Sequence, residues 1–121
     1  MIDDEKANTI ASQAIIDLLI ARFPNTFRPS SQMKLPLKVG ILADLTARCP
    51  DVDDALLRLA LRDYCGDLSY QLALSAHGVV RIDLDGAASG IVTAEQSAHA
   101  RGIYIAAYEK KNPAEAVASA G

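Results

Sequence analysis

The chain predicts an α+β domain, mostly helical, with about five helices and one short β-hairpin before the last helix. Three observations predict it. Apolar residues recur at helical spacing through most of the chain. The period then changes to two at Val80, Ile82 and Leu84, and Asp85-Gly86 supplies a turn directly after them. Helix, loop, three helices, hairpin and helix follow one another with no internal repeat and no dividing linker, so one folded unit over residues 1–111 is expected.

Composition narrows the function classes. A chain of 121 residues is about one domain, large enough to bury a core without staples. Half the residues are hydrophobic and 22% are charged, which is globular composition and not disorder. The net charge of −3 argues against nucleic-acid binding through bulk charge, so any anion site must be local. Cys49 and Cys65 are too few for a disulfide framework and too far apart for a CxxC motif, and read as small buried thiols. No basic-then-apolar leader stands at the start, and no apolar run approaches the ~20 residues of a membrane span. A cytoplasmic, membrane-free location is the expectation.

Each element has its own local signal. From about Asp4 to Phe23, Ile10, Ala14, Ile15, Leu18 and Leu19 form an amphipathic stripe, with acids at the N-terminal end of the dipole and Phe23-Pro24 as the stop. Thr26 to Leu37 has no period and carries two prolines with Arg28 and Lys34, which reads as an extended loop of the kind that often serves function. After Pro36, Val39, Ile41, Leu42, Leu45 and Cys49 share one side of a helix. Asp44 and Arg48 are expected to pair on the other, with Lys38 in the first turn. Asp53 suits an N-cap, and Ala55 to Tyr64 forms a helix whose polar stripe is Arg58, Arg62 and Asp63. Gly66 breaks that run, and a short helix from Asp67 to about Ser75 presents Tyr70.

In the hairpin, alternation predicts Val80, Ile82 and Leu84 inside and Arg81, Asp83 and Asp85 outside, with Gly90-Ile91-Val92 returning. Thr93 to Gln96 is a capping box that opens the last helix, through about Lys111. Residues 112–121 read as a frayed alanine-rich tail.

Taken alone, Arg58 and Arg62 read as a solvated face paired with Asp54 and Asp63, since exposed ion pairs are common and contribute little. Asp83 and Asp85 suggest a carboxylate pair for hydrolysis, weighed against turn formation and a partner for Arg81. His77 and His99 lack ligand-spaced companions, so no metal and no cofactor is expected.

In order, Pro36-Leu37-Lys38-Val39-Gly40-Ile41, Leu57-Arg58-Leu59-Ala60-Leu61-Arg62-Asp63-Tyr64, Tyr70, Arg81-Ile82-Asp83-Leu84-Asp85-Gly86 and His99-Ala100-Arg101 resemble the successive motifs of the ProQ/FinO RNA-chaperone domain. With Phe23-Pro24 the resemblance covers roughly residues 11 to 111, and it suggests a minimal, single-domain member. It implies a non-enzymatic, monomeric RNA chaperone of bacterial type. Such a domain grips the base of structured hairpins and the single-stranded 3′ tails of small regulatory RNAs or message 3′ ends, in post-transcriptional regulation. Carried over by residue, the RNA-facing positions are Lys38, Arg58, Arg62, Tyr70 and Arg81, with Arg28 and Lys34 as additional cations and Tyr64 suited to packing.

The implied chemistry fits these residue types. A-form RNA is recognised through phosphates, 2′-hydroxyls and shape. Arginine forks match phosphate, and a tyrosine ring stacks on an unpaired base. Four departures from the family pattern thin the positive field: Asp54, Asp67, Ser69, and a stretch between Tyr70 and Arg81 with no cation, only His77. They imply weaker or narrower RNA binding, or a diverged paralogue that acts through protein partners.

Overall fold

The computed structural model describes residues 3–111, and the expected tail over 112–121 lies outside them. Asp3 caps the first helix, α1 (Asp4–Arg22), by accepting from the Lys6 N–H at 2.8 Å. Phe23-Pro24 ends it as predicted. Then come α2 (Ile41–Arg48), α3 (Asp54–Gly66) and α4 (Leu68–Ala73). Strands β1 (Val80–Ile82) and β2 (Ala88–Ile91) precede α5 (Ala94–Lys111). The five helices and two-stranded antiparallel sheet among the described residues give the expected mostly helical α+β architecture.

Local chemistry explains most boundaries. The Asp53 carboxylate accepts from the Ala55 N–H at 2.8 Å, so α3 starts where its cap predicts. Thr93 and Gln96 make the reciprocal capping box of α5, with bonds of 3.0 and 3.1 Å. Gly40, at φ 85°, turns the chain into α2, so that helix begins at Ile41 and Lys38 stands before it, not in its first turn.

The core is built on α3. Leu57, Ala60 and Tyr64 form its buried stripe, α1 packs along it through Leu19, and α2 adds Ile41, Leu45 and Cys49. Fully burying each aliphatic chain contributes about 1.5–3 kcal/mol. An aromatic ladder continues the core: Phe23 to Phe27 at 6.4 Å, Phe27 edge-on to Tyr64 at 5.1 Å, and Tyr64 to Tyr70 at 6.1 Å. Cys49 is buried as expected and Cys65 half-buried, with burial pushing its thiol up to about 11.

Four details differ from the sequence expectation. Val39 and Ile10 are exposed, because Val39 lies in the turn before α2 and Ile10 projects from the early part of α1. Asp44 and Arg48 do not pair with each other: Asp44 holds Lys38 at 2.8 Å and Arg48 holds Asp85 at 3.1 Å. The turn at Gly40 and the hairpin tip bring partners closer than the helical neighbour. The hairpin alternation also fails at its start, with Val80 46% exposed and Arg81 only 8%. A bulge between Val80 and Ile82 shifts the register from Val80↔Ile91 to Ile82↔Ala88. Finally, the end of the 26–37 loop is not free-standing: Leu37 bridges Ile82 in parallel, with Ile82 N–H to Pro36 O at 3.0 Å and Lys38 N–H to Ile82 O at 2.8 Å.

At the hairpin turn Gly86 has φ +77°, and a Cβ there would stand 2.9 Å from Asn25 Cβ. Gly90, at φ +101°, faces open space. Gly86→Ala is therefore expected to lower stability by about 1–3 kcal/mol and to cost more than Gly90→Ala, which adds only backbone strain. Chemical denaturation of both variants measures the difference.

Candidate nucleic-acid interface

Three groups of polar side chains gather the residues singled out by sequence. The first is built around Leu37. Its N–H donates to the Tyr70 hydroxyl at 3.0 Å, and its carbonyl accepts from Arg81 Nη1 at 2.8 Å. Arg81 Nη2 reaches the Gln96 side chain at 3.0 Å, the same oxygen that caps α5. Arg81 Nε is buried and has no partner among the described residues.

Tyr70 and Arg81 are thus buried supports. Tyr70 is 5% exposed, its ring is packed against Tyr64, and burial pushes its hydroxyl up to about 12. The expectation of a surface ring and of an outward Arg81 is corrected for one reason: Leu37 carries two backbone groups that need partners inside the fold, and these two side chains supply them. Lys38 follows directly, half-exposed and paired with Asp44, whose carboxylate raises its pKa.

The second group lies on α3. Arg58 and Arg62 are exposed one turn apart and, with Ala55 and Leu59, line a shallow depression of about 470 Å³. Arg62 leans on Asp63 at 3.4 Å. The expected Asp54–Arg58 pair does not form, and Arg58 has no hydrogen bond or ion pair among the described residues. Its charge faces solvent uncompensated.

The third group was not assembled by sequence reasoning. Arg28, Lys34 and Arg62 line an open groove of about 700 Å³ beside α1, together with Ser12 and Tyr64. The Arg28 N–H donates to the Tyr64 hydroxyl at 2.9 Å. Lys34 is 7% exposed, donates to Tyr64 O and Asp67 at 3.1 Å each, and stands 4.2 Å over the Tyr64 ring. Ser12 had a sequence signal: it precedes Ile16 and Ile20 at four-residue spacing, on the buried face of α1.

The acids of the hairpin have structural work. Asp83 accepts from the Asp85 and Ala87 N–H groups at 2.9 Å each, as a turn former, and Asp85 pairs with Arg48 and not with Arg81.

The ProQ/FINO family model matches residues 9–117. The chain belongs to that family. It is 39% identical over 93 residues to an RNA chaperone ProQ of Aeromonas salmonicida, covering 74% of this chain and 43% of the relative. It is also 39% identical over 92 residues to that of Haemophilus influenzae, covering 74% and 46%. The chain thus spans less than half the length of these curated relatives. Among solved structures, a ProQ homologue from Legionella pneumophila superposes with TM-score 0.69 at 31% identity, covering 80% of this chain and 83% of that one. A FinO-like RNA chaperone from Neisseria meningitidis gives 0.65 at 30% identity, covering 77% and 93%. Family and fold therefore agree with the resemblance read from the motifs. No helix among the described residues is long and apolar enough to cross a membrane.

Two predictions separate buried supports from exposed charge. Arg81→Ala should cost about 1.5–3 kcal/mol, the range for hydrogen bonds to a charged group, by freeing Leu37 O and Gln96, whereas Arg58→Ala should leave the melting curve unchanged. Thermal denaturation of both decides it.

The second concerns pH. Hydrogen bonds from Arg22 hold the Asp51 carboxyl below its ordinary 3.8, and bonds from Ser69 and then Lys34 do the same for Asp67. Because these folded-state values are depressed, their stabilisation is present above 3.8 and lost as pH falls through the lower folded values. Denaturation between about pH 5 and pH 2 should show a shallower acid-side decline for Asp51→Asn than for the wild type.

Proposed function

We propose that this domain is an RNA chaperone that binds the base of a structured hairpin and its single-stranded 3′ tail, as a monomer in the bacterial cytoplasm. The observation that carries it is Arg58: an exposed, unpaired guanidinium one turn from Arg62 on the helix that forms the core, in a chain whose relatives are named RNA chaperones. That naming does not favour a role confined to protein partners.

The roles divide by exposure. Arg58 and Arg62 take neighbouring phosphates, each as a planar fork that never loses its charge. Their spacing of about 6 Å along the helix suits successive phosphates of one strand. Lys38 adds a point charge on the segment that Tyr70 and Arg81 hold from beneath. Arg81 acts from beneath, through Leu37 and Gln96, and its buried Nε does not reach the surface. Nothing in this mechanism requires chemistry on the RNA: it is grip and release, and the protein alters what the bound strand can pair with.

The test is binding of a terminator hairpin with a free 3′ uridine tail across a salt series. Affinity should fall steeply with salt, and Arg58→Ala should weaken it and lower the slope of log K against log salt by about 1. Salt-insensitive binding that Arg58→Ala and Arg62→Ala both leave intact would sink the reading.

A further inference from the structure

The groove beside α1 holds polar groups that the fold does not satisfy. Ser12 is 2% exposed and its Oγ has no partner among the described residues. A serine inside a helix meets its hydroxyl either with solvent or with a carbonyl of the preceding turn, and this buried one has neither. Arg28 lines the same groove, half-buried, with its guanidinium free of any hydrogen bond or ion pair among the described residues and its Nε fully covered. A desolvated donor left unmade costs about 1–3 kcal/mol, and more when charged. Two such groups on one cavity, with the Lys34 ammonium beside them, form a built receptor for an anion.

Charge and shape define the anion further. Asp63 and Asp67 also line the groove, but each is already engaged, Asp63 by Arg62 at 3.4 Å and Asp67 by Lys34 at 3.1 Å. Arg28 is left as the uncompensated charge. The volume of about 700 Å³ is far larger than one phosphate needs and falls in the usual range of small-molecule sites. Ile16 and Ile20 give it an apolar wall, and Gln13, whose amide nitrogen donates to Asp17 at 2.9 Å, adds its amide oxygen at the rim. Apolar wall, amide and cations together match a base, its edge and a phosphate.

We infer that this groove is a nucleotide pocket, in which Arg28 takes the phosphate as a fork, Lys34 supports it as a point charge and Ser12 Oγ completes the donor set. It adjoins the Arg58 depression, with Arg62 on the rim of both, but its ligand groups Arg28, Lys34 and Ser12 are its own and it does not rest on the hairpin-binding reading. The phosphate has two sources, a free nucleoside monophosphate or the phosphorylated end of an RNA.

Amide NMR titrations of the full chain distinguish them. Uridine and adenosine monophosphates should shift the Ser12 and Arg28 signals saturably, while uridine alone leaves them still. Arg28→Gln keeps the backbone bond to the Tyr64 hydroxyl and should weaken this binding about tenfold or more, the loss expected of a charge-assisted pair. Ser12→Ala should weaken it less, and Arg58→Ala should not change it. Short RNAs with a 5′-phosphate or a 5′-hydroxyl form the second arm: discrimination by RNA without response to free nucleotides assigns the groove to RNA ends, and response to both assigns it to nucleotides generally. Nucleotide binding that Arg28→Gln leaves at wild-type strength, or no shift at Ser12 and Arg28 with either probe, overturns the inference. Either result leaves terminator binding through Arg58 standing, so the two readings fail separately.

Discussion

Leu37 is where the fold is tied together. Its N–H and its carbonyl are both met by side chains from distant parts of the chain, Tyr70 of α4 and Arg81 of β1, while its backbone neighbours pair with Ile82. A buried peptide with two unmet groups would be expensive. Meeting them with a tyrosine hydroxyl and a guanidinium locks loop, helix and hairpin to each other, and Gln96 extends the lock to α5. Lys38, one residue on, inherits a defined position from this arrangement.

Tyr64 plays the complementary part in the core. Its ring carries Phe27 on one side and Tyr70 on another, its hydroxyl accepts from the Arg28 N–H, and its carbonyl accepts from Lys34. The 26–37 loop, with few local hydrogen bonds of its own, is therefore held along its middle, at Arg28 and Lys34, by one residue of α3. This is also why Arg28 and Lys34 stand at the wall of a groove and not in solvent.

An acidic protein presents a local positive surface by pairing. Arg22, Lys34, Lys38, Arg48 and Arg62 each have a carboxylate partner, whereas Arg28 and Arg58 have none among the described residues. The departures from the family pattern act differently from what their charge suggests. Asp54 leaves Arg58 alone, and Asp67 is engaged by Lys34 and Ser69, so part of the negative charge is spent inside the fold. Field strength at a binding surface depends on which charges are compensated, and net charge does not report that.

By itself the sequence determined the elements and the family: the caps at Asp53 and Thr93, the stop at Phe23-Pro24, the period change at Val80 and the ordered motifs around Arg58 and Arg62 are all local signals. Tertiary structure alone decided which polar residues face outward. Strand alternation placed Arg81 outside and helix spacing paired Asp44 with Arg48, because periodicity describes an element against an average core. Arg81 turned inward because Leu37, forty-four residues away, needed a donor, and Asp44 turned to Lys38 because a left-handed glycine folded the chain back. The groove at Ser12 and Arg28 arises the same way, from α1, loop and α3 meeting at contacts that no single window of sequence contains.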